Sequence, residues 1–143
     1  MSDTSSTKTI IGRLERVSLP TLNLNNIEAK IDTGAYNCAI HVDRLELFEK
    51  NGTKHIRFVV LDDEHLEFKD DIHETSNFRE KLVRSSNGDA NMRYQIPAEI
   101  EICGKILNAY LGLTDRKDLK YPILIGRKIL KKNFIVDVSK VNI

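Results

Sequence analysis

Residues 28–37 read "EAKIDTGAYN". Asp32 closes an alternating apolar run and is followed by Thr33, Gly34 and Ala35, and the tetrapeptide occurs once in the chain. A glycine two places after a carboxylate lets the chain turn sharply, so that backbone N–H groups approach the acid. The branched Thr33 side chain is stiff, and its hydroxyl can bond a neighbouring chain. Ala35 leaves room for another backbone. The chemistry offered is one rigid carboxylate at the end of a strand, aimed outward. Asp-Thr-Gly also makes ordinary turns.

A second group of residues could receive acids. "PILIGRKIL" (residues 122–130) runs from an apolar stretch through Gly126 and Arg127 towards a short helix. Arg84 precedes the polar segment "SSNGDAN", and Asp115 and Arg116 sit in "LTDR". A guanidinium binds carboxylates bidentately, so Arg84 and Arg116 suit an acidic substrate. Solvated arginines, or an Asp115–Arg116 pair, are the plainer reading. Asp62, Asp63, Glu64, Glu67, Asp70, Asp71 and Glu74 make one acidic stretch broken only by Lys69. The balance reverses from Arg116 to Lys132. These are read mainly as solvated faces, with a basic rim beside a site as the sharper alternative.

The remaining features exclude more than they suggest. The chain has 143 residues, 41% apolar and 30% charged, with a net charge of +1. That suits one soluble domain and gives no field for nucleic acid or membrane. No apolar run approaches the roughly 20 residues that span a bilayer. Residues 1–8 read as a disordered leader without a secretory signal, and 9–143 as a single cytoplasmic domain. Cys38 and Cys103 are expected as buried thiols. The four histidines form no H-E-x-x-H pair, and no phosphate-binding glycine loop is present.

Period-2 patterning supplies the elements. "TIIGRLERVSLP" reads as a strand ending near Pro20. "NNIEAKID" puts Ile27, Ala29 and Ile31 on one face. "NCAIHV" is short and β-rich, and "KHIRFVVLD" enters a core. "EHLEFKDDIHE" is a weak edge or a loop. Two extended runs flank Asn87-Gly88, the strongest short hairpin signal. A second hairpin runs through "CGK", then come the buried "PILIG", one or two helical turns in "RKILKKN", and a closing strand, "FIVDVS". The expectation is an all-β small closed barrel with one short C-terminal helix.

A strand ending in Asp-Thr-Gly, a hairpin with a glycine-bearing tip, and apolar-apolar-Gly-Arg before a helix resemble the retropepsins, the single-domain aspartic proteases. "GRLERVSLP", "AKIDTGAYNCAIH", "LVRSSNG", "LTDR" and "PILIGRKILKKNFIVD" resemble a narrower retropepsin-like family, long labelled ATP-dependent zinc proteases. Its members occur beside, or fused to, enzymes that ligate glutamate to a small-subunit ribosomal protein. The residues support neither zinc nor ATP, so no metal or cofactor is expected.

The resemblance implies an acid-protease barrel and a mechanism with two carboxylates sharing one proton. With one Asp-Thr-Gly per chain, it implies a homodimer with Asp32 of each copy at the axis. Thr33 would brace the two loops and Gly34 would allow close approach. Ala35, Gly126 and Arg127 would support the loop, Arg127 as a buried cation. The hairpin tip with Asn87 and Gly88 would be a flap, and Arg84, Asp115 and Arg116 would line the substrate groove. Retropepsins carry an Asp directly after the Ala or two places after it, where it pairs with this Arg. Here Tyr36 and Asn37 stand instead.

The resemblance implies a peptide or glutamate-rich protein as substrate, with a glutamate ligase or ribosomal protein as a partner. The competing readings are a non-catalytic module that holds an acidic peptide, and a β-domain that docks a ligase or ribosome.

Overall fold

The computed structural model describes residues 7–61, 71–84, 88–114 and 120–142. Ten strands and one helix follow in order: β1 (Thr9–Leu19), β2 (Leu24–Ile31), β3 (Cys38–Lys50), β4 (Thr53–Val60), β5 (Ile72–Thr75), β6 (Arg79–Arg84), β7 (Ala90–Ile102), β8 (Lys105–Thr114), β9 (Ile123–Ile125), α1 (Arg127–Asn133) and β10 (Phe134–Val141). A 3-10 turn over Pro20–Leu22 joins β1 to β2. Proline at the first position of that turn fixes φ and has no N–H to lose.

Six strands close into a barrel in the order β1-β2-β9-β3-β8-β7, with β7 pairing back to β1 at Val17↔Ile102 and Ser18↔Glu101. The alternation read from the sequence points inward as expected. Ile27, Ala29 and Ile31 of β2 are buried, as are Ile96, Ala98, Ile100 and Ile102 of β7. Ile123 and Ile125 of β9 are fully buried, because this strand runs through the middle of the sheet between β2 and β3. Each such side chain contributes about 1.5–3 kcal/mol by leaving water. This is the all-β closed barrel with a single short helix that the patterning predicts.

Two details differ from the sequence reading, the length of β3 and the exposure of Cys103. The run starting at "NCAIHV" is not short, since β3 extends over 13 residues. Arg44 adopts a positive φ of 54°, and the β3–β4 register shifts between Asp43 and Glu46. That bulge bends β3 out of the barrel, so its second half founds a small sheet with β4 and β5. The weak acidic stretch resolves only in part: β5 is a strand, and residues 62–70 lie outside the described residues, as do residues 1–6 of the expected leader. Cys103 is exposed rather than buried. It shares a tight turn with Gly104, both with positive φ (49° and 82°), and the turn carries it to the hairpin tip. No helix among the described residues is long and apolar enough to cross a membrane.

Candidate active site

The site is built where β9 inserts between β2 and β3. β2 ends at Ile31, and the next N–H, that of Asp32, donates to the carbonyl oxygen of Ile125 at 2.9 Å. The chain then turns: the N–H of Ala35 donates to the Asp32 carbonyl oxygen at 3.2 Å. Inside this turn the N–H of Gly34 donates to Oδ1 of Asp32 at 2.9 Å. The carboxylate is therefore oriented by its own loop while remaining half-exposed. A Cβ on Gly34 would stand 3.2 Å from that oxygen, so glycine keeps the approach open.

The far side of the loop is held by the residues after β9. The backbone N–H of Arg127 donates to the Ala35 carbonyl at 2.7 Å, and that of Lys128 to the Tyr36 carbonyl at 3.0 Å. Loop carbonyls thus satisfy two of the N–H groups that a helix leaves free at its start. Gly126 is buried directly behind the loop, where a Cβ would lie 2.7 Å from the Tyr36 carbonyl and collide with the Asn37 carbonyl. Ala35 and Gly126, expected as supports of the loop, stand at these two contacts.

Arg127, expected as a buried cation at the dimer interface, is exposed in the single chain. Its Nη1 donates to the Thr33 carbonyl oxygen at 3.0 Å, and its Cζ lies 5.8 Å from the centre of the Tyr36 ring. A backbone carbonyl and an aromatic face stand where an acid was expected. An exposed guanidinium also carries no penalty for an unpaired buried charge. Tyr36 thereby belongs to the site, and its signal in the sequence was its place two residues from Gly34, where an acidic residue is the rule for retropepsins.

Behind the loop lie Cys38 and His41, both buried. Burial pushes the Cys38 thiol above its ordinary value, with Gly126 and Lys128 opposing. The backbone N–H of His41 donates to the Pro122 carbonyl at 2.8 Å, and its carbonyl accepts from Leu61 at 2.9 Å, so this segment ties the barrel to the second sheet.

The candidate substrate residues are less complete. Arg84 ends β6, and Gly88 has the positive φ of 91° that a hairpin tip requires. Asn87, Asp115 and Arg116 lie outside the described residues. The structure brings together Asp32, Thr33, Gly34, Ala35, Gly126 and Arg127, all in one loop-and-helix junction. Among the described residues no three His, Cys, Asp or Glu side chains gather to hold a metal ion.

Residues 10–143 match the model of the RimB-like family, described as retropepsin-like aspartic endopeptidase RimB. The chain belongs to that family. The RimB-like fold is shared with a Legionella pneumophila protein of unknown function, at a TM-score of 0.73 and 28% identity over 95% of this chain and 98% of that one. Among curated proteins, a probable alpha-L-glutamate ligase of Shewanella pealeana is 28% identical over 95% of this chain. One of Desulfotalea psychrophila is 24% identical over 91%. The RimB-like chain spans about 30% of the length of the first relative and 28% of the second.

Proposed function

We propose that the protein is a cytoplasmic, dimeric aspartic peptidase in which Asp32 of two copies forms the catalytic pair. The observation that carries this reading is the fixed Asp32 carboxylate, half-exposed and held by the Gly34 N–H at 2.9 Å at a strand end. Two such carboxylates brought a few Å apart cannot both ionise easily, so one becomes the acid and the other the base. The base takes a proton from water as that water attacks the peptide carbonyl carbon, and the acid protonates the carbonyl oxygen. Collapse of the tetrahedral intermediate breaks the C–N bond as the departing nitrogen is protonated. Thr33 lies next to the axis and braces the paired loops.

The substrate in this reading is an acidic, glutamate-rich peptide or protein tail. Support comes from Arg84 and Arg116, from the exposed cations Arg127, Lys128, Lys131 and Lys132 on α1, and from relatives named as glutamate ligases. The test is hydrolysis of oligoglutamate and neutral peptides by the native chain and by Asp32→Asn, with sedimentation at the assay concentration. Loss of cleavage in the variant and an active dimer are the expected results. Retained hydrolysis in Asp32→Asn, or an active monomer, overturns the mechanism. Equal cleavage of neutral and acidic peptides overturns the substrate class.

Two specific observations favour a second reading. The curated relatives are about three times longer than this chain and carry a ligase name. Tyr36 and Asn37 also occupy the positions of the expected acid. On that reading the barrel is a non-catalytic module that holds an acidic peptide or docks a ligase or ribosomal protein. A dimer that binds oligoglutamate without cutting it would decide for it.

A further inference from the structure

The outer face of the β6–β7 hairpin carries a cluster of cations that the Asp32 site does not use. On β7 the even positions Ile96, Ala98, Ile100 and Ile102 are buried in the barrel, so Arg93 and Gln95 lie on the other face of the strand, Arg93 exposed and Gln95 covered. The register pairs Arg79 with Gln95 and Lys81 with Arg93, placing three cations on that outward face. Lys81 and Arg93 stand directly opposite each other, an arrangement of like charges that destabilises a sheet. No acid lies on the same face of β6, and the first outward acid on β7 is Glu99. It is four positions beyond Gln95, about 13 Å along the strand. Among the described residues no ion pair joins an acid to Arg79, Lys81 or Arg93.

One member is held ready. Gln95 is only 4% exposed, and its Oε1 accepts from Nε of Arg79 at 2.7 Å. The Arg79 Cζ lies over Tyr110, 3.5 Å from the ring centre. Both contacts restrain the fork-shaped guanidinium of this exposed side chain. That fork matches a carboxylate, and a pre-set fork loses less side-chain entropy on binding. Arg79 and Lys81 are two residues apart on one strand face, about 6.6 Å, the interval at which an extended peptide repeats its own side chains.

We propose that this face is a second binding surface for an extended acidic peptide, with alternate carboxylates on Arg79 and on the Lys81–Arg93 pair. It rests on the reading that the chain takes acidic peptides, and adds a hold on the substrate outside the cleft. Charge complementarity alone would also admit a nucleic acid. The ring of Tyr110 is covered by Arg79, however, so it is not open for a base to stack upon.

The test uses Asp32→Asn protein, so that binding is read without cleavage. Affinity for a fluorescein-labelled decaglutamate is measured by anisotropy at low salt and at about 0.3 M salt. Arg79→Gln, and separately the double variant Lys81→Gln/Arg93→Gln, are each expected to weaken binding about tenfold at low salt and less at high salt. The double variant removes a like-charge pair and should hold or raise Tm, so its loss of binding is not unfolding. Unchanged affinity in the double variant overturns the proposal, as does a ten-nucleotide single-stranded RNA that binds as tightly as the peptide. Oligoglutamate bound through these residues but never cut by the native chain would leave this surface standing while the peptidase reading fails.

Discussion

The guanidinium of Arg127 donates to the carbonyl oxygen of Thr33 at 3.0 Å, clipping the start of α1 to the middle of the Asp-Thr-Gly loop. The same residue's backbone N–H holds Ala35 two positions later. One residue from the C-terminal part of the chain therefore fixes both sides of a loop more than 90 positions earlier.

Removing that side chain should affect catalysis more than folding. Arg127 is exposed, so Arg127→Ala is expected to cost only about 1 kcal/mol of stability. Hydrolysis of oligoglutamate should fall on the order of tenfold, because a loosened loop misplaces the carboxylate. Arg127→Lys should recover part of the rate, since an ammonium can still donate to a carbonyl. Thermal melts and kcat measured together check this. A melt loss without a rate loss would mean the clip serves stability alone.

Gly126→Ala should be the more damaging change. The added methyl would meet the backbone at Tyr36 and Asn37, which cannot rotate away as a side chain can. Overpacking of this kind costs about 1–3 kcal/mol, and relief must come from moving the Asp32 loop. Chemical denaturation should show a lower midpoint with unchanged slope, together with lost hydrolysis. Wild-type stability in this variant would contradict the close packing.

Glu15 should control the reactivity of Cys103. Glu15 is only 2% exposed; its Oε2 accepts from the Gly12 N–H at 2.7 Å, and its Oε1 lies 3.8 Å from the Cys103 thiol. Partial burial, then the charge and hydrogen bond of Glu15, push the thiol above its ordinary value. Glu15→Gln removes the charge repulsion, so the thiolate forms at lower pH. Alkylation by iodoacetamide at about pH 8 should then run several-fold faster. An unchanged rate would mean that burial alone sets the thiol.

His73 should make stability fall in mild acid. It stacks on Phe58 with ring centres 5.7 Å apart. Burial lowers its pKa, against the pull of Asp71. A histidine whose folded value is depressed binds its proton more readily when unfolded. Stability is therefore full above the unfolded value of about 6.5 and falls as pH drops through it towards the folded value. His73→Gln should flatten that part of the stability curve. A slope that persists in the variant would assign it to other groups.

The barrel was legible because its strands obey simple rules. Ile27, Ala29 and Ile31 alternate, "PILIG" is apolar throughout with Ile123 and Ile125 in the core and Leu124 half-buried on the other face, and Asn-Gly falls in the connection between the paired strands β6 and β7. The same rule operates at Asn51-Gly52, whose φ values of 54° and 79° turn β3 into β4. The second sheet was harder to read, because it depends on a bulge at Arg44, and nothing in the residue types requires a positive φ there. The Asp32 loop could be read from Gly34, Gly126 and Arg127 together, each needed for a steric or hydrogen-bonding reason. The setting of Arg79 could not, since Gln95 and Tyr110 come beside it only through strand register.

The insertion of β9 between β2 and β3 has a consequence in time as well as space. Asp32 is translated before its scaffold, since the Ile125 carbonyl that receives its N–H and the Arg127 groups that hold its loop come about 90 residues later. Contacts so distant along the chain form late in folding. A nascent polypeptide that has not yet emerged past residue 127 carries the acid without the scaffold that aims it.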